Sequence, residues 1–192
     1  IRRDIRAWRN WSRPIPPTAQ SLLITFGGSD PGHHTERALE ALSFLPPEVS
    51  LNIRVVVGGG NPRASALAER TSRRSGIELI FDTKDLGKLI RKSDIVLSAA
   101  GSTLWERAVL ATPMVIGAAV PVEHAPARAI TARHAAINLG PLAQASPKAI
   151  ANTIVELVRD QASRQTLSNA ARSVVDGYGV DRVLDAMIQD MV

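Results

Sequence analysis

Short apolar runs alternate with amphipathic stretches along almost the whole chain, and that alternation leaves few folds open. Residues 21–26 (SLLITF), 51–57 (LNIRVVV), 77–81 (IELIF), 95–98 (IVLS) and 114–117 (MVIG) are aliphatic or β-branched and bounded by Gly, Pro, Asp or Asn. These are the marks of buried strands. Helical patterns separate them at roughly 34–45, 63–75, 85–92, 103–110 and 124–135, and a short sixth strand near 136–139 follows. Near-continuous apolar strands joined by helices imply an α/β fold, a doubly wound parallel six-stranded sheet covered on both faces. After Pro147 the pattern turns wholly helical, with helices expected over 147–159, 161–175 and 180–191.

Composition narrows the class further. Of 192 residues 45% are hydrophobic and 21% charged, the usage of an ordinary folded domain, so disorder along the whole length is excluded. There is no cysteine, which removes disulfides and Cys-ligated metal centres and suits a cytoplasmic location. The longest apolar runs, such as 95–100 and 114–120, fall well short of the roughly 20 residues that span a bilayer. The chain is therefore expected to be soluble, with no transmembrane segment.

The net charge of +5 suggests nucleic acid only until it is located. Arg2, Arg3, Arg6, Arg9 and Arg13, set against Asp4, place four of those five charges in the first thirteen residues. No second basic patch or base-stacking surface accompanies them, so nucleic acid is not an expected partner. The chain opens on Ile1 rather than Met, which reads as a piece of something longer. Residues 1–20 form a basic helix and a Pro-rich interdomain linker (Pro14, Pro16, Pro17), and 21–192 the α/β domain. The helix would carry Ile1, Ile5, Trp8 and Trp11 on one face, with the tryptophans docking on a missing N-terminal domain. A membrane surface or a partner protein is the alternative.

In an open parallel sheet ligands bind beyond the carboxyl ends of the strands. Three loops fall there. Gly27-Gly28-Ser29-Asp30-Pro31-Gly32 lets the backbone turn sharply, and its amides could cradle a phosphate. It is neither a Walker loop nor a dinucleotide fingerprint, and it reads equally as a tight turn with Asp30 capping the next helix. Ala99-Ala100-Gly101-Ser102-Thr103-Leu104-Trp105-Glu106 brings a helix start, with the Ser102 and Thr103 amides, to the cleft. Glu106 could accept from a ribose diol, or could fold back on Thr103 in a capping box; spacing alone slightly favours the cap. The third loop, Gly58-Gly59-Gly60-Asn61-Pro62, reads as a turn. Among the histidines His33 and His34 could enter the cleft beside the first loop and His124 after the fifth strand, whereas His134 reads as structural. None has metal-ligand spacing, and no cofactor is expected.

Together Gly27-Gly28-Ser29-Asp30-Pro31, Val55-Val56-Val57-Gly58 with Asn61-Pro62, and the stretch from Ser93 to Glu106 resemble the C-terminal half of the PseG family. These are nucleotide-sugar hydrolases of pseudaminic acid biosynthesis, with relatives among spore-coat polysaccharide proteins. More broadly the chain resembles the Rossmann-like C-terminal domain of GT-B glycosyltransferases of the MurG type. The resemblance implies that a UDP-sugar is bound. Gly27, Gly28, Ser29 and Asp30 would line the diphosphate, and Ala100 and Gly101 would flank it. Ser102 and Thr103 would donate to its oxygens, Glu106 would hold the ribose, and Phe81 would lie beside uracil. His33 and His124 would stand on the sugar side. The family's essential histidine belongs to an N-terminal half outside these 192 residues, so no catalytic residue is expected here and little activity from this part alone. The family carries Asn-Gln after the fifth strand where this chain has Glu123-His124, so Glu123 must turn away or be offset by a protonated His124. The implied function is the nucleotide-binding half of a UDP-sugar hydrolase of bacterial surface-glycan (nonulosonic acid) synthesis. The alternatives are a MurG-like glycosyltransferase domain and a non-catalytic nucleotide-sugar-binding or interaction module.

Overall fold

The computed structural model describes residues 1–72 and 74–189. Six strands, β1 (Ser21–Thr25), β2 (Asn52–Val57), β3 (Ile77–Phe81), β4 (Ile95–Ala99), β5 (Met114–Ala118) and β6 (Ile137–Pro141), form one sheet in the order β3-β2-β1-β4-β5-β6. Every pairing is parallel. The strand order reverses between β1 and β4, paired from Leu22 with Ile95 to Thr25 with Ser98, and this is where a crevice opens in such sheets. The helices are α1 (Arg3–Arg6), α2 (His34–Ala41), α3 (Ala64–Ser72), α4 (Leu86–Arg91), α5 (Leu104–Val109) and α6 (His124–Thr131), then α7 (Pro147–Arg159), α8 (Gln161–Val174) and α9 (Gly179–Gln189). The expected last helix starts one residue earlier, and the end expected for it, 190–191, lies outside the described residues.

Alternation along the strands sends their side chains to opposite faces. Leu22, Ile24, Val55, Ile95 and Leu97 pack with Leu39 of α2, Leu67 of α3 and Ile150 and Ile154 of α7 on one side. Leu23, Val56 and Val96 meet Ile5, Ile90 and Val109 on the other. Met114 and Ile116 continue that second layer with Leu104, Ala108, Ala127 and Ile130. Burying each such side chain is worth about 1.5–3 kcal/mol. α7 begins on Ser146, whose Oγ accepts from the Ala149 amide, with Pro147 next; α8 begins on Asp160, which accepts from the Ser163 amide.

The amino-terminal segment differs from the expectation. Its helix is four residues long, and the segment packs on the body of its own domain. Ile5 is 1% exposed and sits on Gly87 of α4, where a Cβ would lie 2.8 Å from its Cγ1. Trp8 and Trp11 meet edge to face at 6.4 Å, and the Arg91 guanidinium lies 3.9 Å from the Trp8 ring centre. Arg13 is buried and donates to Leu110 O, Ser93 O, Ile90 O and Thr112 Oγ1 at 2.6–3.1 Å. These contacts outweigh the helical pattern of Ile1, Ile5, Trp8 and Trp11, because each buries apolar surface or satisfies backbone acceptors that an extended amphipathic helix would leave open.

Candidate functional site

Both loops singled out by the sequence stand side by side beyond β1 and β4. After β1 the backbone turns through Gly27 (φ +87°), Asp30 (φ 44°) and His33 (φ 55°), three left-handed residues within seven. Such conformations are costly outside glycine and collect in turns and functional loops. Asp30 is held by its own bonds: one carboxylate oxygen accepts from the His34 amide at 2.9 Å, the other from the Thr35 amide at 2.8 Å. Its carboxylate therefore caps α2 and is 5% exposed, so it faces the helix and not the cleft. Gly27, Gly28 and Ser29 remain exposed.

The Gly58–Gly60 turn braces this loop from behind. A Cβ on Gly58 would lie 2.4 Å from the Gly28 Cα, and the Gly60 amide donates to Gly28 O at 3.1 Å. The sequence reading of this stretch as a turn agrees with that packing.

Beyond β4 Ala100 is buried, Ser102 is exposed and Thr103 is half-buried at the entrance of α5. No capping box forms. Thr103 is right-handed (φ −69°, ψ −6°), whereas a residue whose side chain caps a helix is extended, and its side chain makes no cap bond. Glu106 turns instead to Arg2: Nε to Oε1 is 2.9 Å and Nη2 to Oε2 is 3.1 Å, a two-pronged bridge. Glu106 is 7% exposed in this state, while the Arg2 side chain is 43% exposed. Thr103 Oγ1 accepts from Arg107 Nη1 at 2.8 Å, and Arg107 Nη2 donates to Ala99 O at 2.8 Å. Arg107 is wholly buried, and burial pulls its guanidinium down to about 10, which leaves it charged at neutral pH.

Glu123 turns one of its two oxygens aside. Its Oε2 accepts from the Ala119 amide at 2.7 Å, but Oε1 stays against Gly101, 2.9 Å from where a Cβ would be. His124 opens α6 and is half-buried, whereas His33 is exposed at the start of α2. Phe81 ends β3 on the same edge of the sheet, two strands from β1, and is 48% exposed. His34, beneath the first loop, is 3% exposed with neither ring nitrogen hydrogen-bonded, and burial holds it below its ordinary value. Ser98 Oγ, at the end of β4, is likewise buried without a partner. Among the described residues no cluster of three His, Asp or Glu could hold a metal ion, and no helix is long and apolar enough to cross a membrane.

The pairing of β1 with β4 sets the turn of Gly27, Gly28 and Ser29 next to the turn of Ala100, Gly101, Ser102 and Thr103, with Glu106 one turn into α5 and closed off by Arg2. The Asp30 carboxylate is spent on the start of α2, and Phe81, His33 and His124 lie at the same edge of the sheet, at or after the ends of β3, β1 and β5. Arg2 and Arg107 were missed by the sequence reading; the spacing of Thr103 and Arg107 on a helix was the available signal for the second.

No family model matches the chain. It is 26% identical over 172 residues to the spore coat polysaccharide biosynthesis protein SpsG of Bacillus subtilis, covering 90% of this chain and 50% of that protein. The chain spans half the length or less of the curated relatives it matches. Among solved structures, MurG of Acinetobacter baumannii superposes with a TM-score of 0.73 at 16% identity, over 93% of this chain and 54% of that one. MnaA of S. aureus, solved with UDP, gives 0.71 at 18% identity, over 97% and 48%. The six-stranded parallel sheet with its flanking helices is therefore the Rossmann-like fold of GT-B glycosyltransferase domains.

Proposed function

We propose that this domain holds the nucleoside diphosphate of a sugar donor, as one half of a GT-B-type enzyme of polysaccharide biosynthesis. The observation that carries the reading is the pairing of two exposed, glycine- and serine-bearing turns at the switch between β1 and β4, with a single buried carboxylate one turn farther on. Backbone N–H groups and the Ser29, Ser102 and Thr103 hydroxyls are donors suited to the diphosphate, which gains charge as it leaves the sugar. Glu106 would accept from the ribose diol once its bridge to Arg2 opens. That bridge is inexpensive to open, since a pair with so exposed a partner is worth about 0.2–1 kcal/mol. The structural likeness to MnaA, solved with UDP, supports a uridine nucleotide as the ligand, and the likeness to SpsG supports a role in polysaccharide biosynthesis.

Glycosyl transfer of the MurG kind fits the fold at least as well as hydrolysis of the PseG kind. Both expel the same nucleotide and differ in whether an acceptor hydroxyl or water attacks. The string from Ala100 to Glu106 favours the hydrolase as a second reading. Calorimetric titration of the 192-residue chain with UDP tests the shared part. Saturable 1:1 binding, weakened by Glu106→Ala, is the expected outcome; no heat from UDP at millimolar concentration refutes it. Release of UDP that depends on an added acceptor marks transfer, and release without one marks hydrolysis.

A further inference from the structure

Arg107 and Arg164 are the largest completely buried side chains among the described residues, and Arg107 lies under the turn that follows β4. Two of its donors are committed, to Thr103 Oγ1 and to Ala99 O, and Nε has no acceptor. Neither neighbouring carboxylate touches it: Glu106 is bonded to Arg2, and Glu123 to the Ala119 amide. Arg13 and Arg164 are also buried without a contacting anion, but they serve the amino ends of the strands; Arg107 instead spends a donor on a hydroxyl of the turn beyond β4. An aliphatic side chain of similar length would fill the space.

We infer that Arg107 is a positioning residue for the anionic part of the ligand, acting through Thr103. A hydroxyl has one proton and two lone pairs. Because Thr103 Oγ1 already accepts from Arg107, its proton is directed away from the guanidinium, and it donates to no protein acceptor among the described residues. A charged donor on that oxygen also polarises the O–H bond and makes it a stronger donor. The bond to Ala99 O fixes the last residue of β4 in the same step, so one guanidinium sets both the position of the turn and the direction of its hydroxyl. The matching ligand is a phosphate oxygen of a nucleoside diphosphate. This assignment rests on the nucleotide reading above.

The test separates phosphate recognition from general support of the fold. Binding of UDP is followed by calorimetry and binding of uridine, which has no phosphate, by NMR titration, with thermal unfolding recorded for each variant. Thr103→Val is expected to weaken UDP about tenfold or more while uridine changes by less than about twofold, and Thr103→Ser to restore UDP binding. Arg107→Met is expected to weaken UDP by a similar factor. The double variant should be little weaker than either single one, since both remove the same interaction. An equal loss for uridine, full UDP affinity in Thr103→Val, or multiplying losses in the double variant overturns the assignment. If Arg107→Met does not fold, the Thr103→Val and Thr103→Ser pair decides the matter alone. Failure of the unaltered chain to bind UDP removes the nucleotide reading itself, and this assignment with it; UDP binding indifferent to Thr103 removes only the assignment.

Discussion

The two ends of the sheet treat buried polar groups in opposite ways. At the amino ends of the strands they are nearly saturated. Arg13 makes four hydrogen bonds there, and the Asp94 carboxylate accepts from the Gln20 and Ser21 amides and from Ser21 Oγ at 2.7–2.9 Å. Arg164 is wholly buried and donates to the carbonyls of Leu157, Val158, Pro16 and Pro17, with only its Nε left unpaired. At the carboxyl ends donors stand idle: His34 and Ser98 are buried without partners, and Gly27, Gly28, Ser29 and Ser102 face solvent. Polar groups in folded proteins are ordinarily paired, so the proposed ligand would meet the end of the sheet where more donors are left over.

Four measurements can break that contrast. The largest effect belongs to the amino ends of the strands. Arg13→Ala strands four buried acceptors and should cost about 3–5 kcal/mol in urea unfolding, with UDP affinity of the folded protein unchanged. A loss of affinity without a loss of stability would reverse the roles of the two ends. Next, Glu106→Ala should weaken UDP by about 10- to 100-fold, the scale of a hydrogen bond to a charged group, while shifting stability by about 1 kcal/mol or less. Calorimetry and urea unfolding on the same sample give both numbers.

The third concerns His34, whose burial lowers its affinity for a proton in the folded state. The unfolded chain then binds the proton first as the pH falls, so stability is full above about 6.5 and declines below it, toward the lowered folded value. The melting temperature should fall between pH 7.5 and pH 5, and His34→Leu should flatten that slope; an unchanged slope would show that other groups govern it. The smallest effect is expected of Ser29→Ala and Ser102→Ala. Both hydroxyls are exposed, so stability should move by less than about 0.5 kcal/mol while UDP binding weakens several-fold. Unaltered binding in both would leave the diphosphate to backbone amides alone.

Much of this architecture was legible in the residues. The run at 77–81 became β3 and the stretch 147–159 became α7 with the expected bounds, and the other strands shifted by a residue or two at their ends. Buried parallel strands write themselves as unbroken aliphatic runs, and Ser146-Pro147 is a strong local start signal. The two turns were legible for the same reason, since only small residues suit them. What stayed hidden depended on contacts distant in sequence. Arg2 lies 104 positions from Glu106, and nothing local to Glu106 announces it. Arg107 was not singled out from the sequence, and it is the packing around α5 that buries it. The apparent capping box failed because Thr103 is already helical, a backbone property that a four-residue pattern does not encode.

The contact between Gly28 and Gly58 has a thermodynamic consequence of its own. With almost no room between the two backbones, the first turn cannot shift unless the tip of β2 shifts too. A guest seated there meets a surface whose shape is already set, so little chain entropy is lost when it arrives. Selectivity at this end of the molecule then comes from steric match to a stiff backbone rather than from a lid folding down, and any side chain introduced at position 58 would act as a wedge.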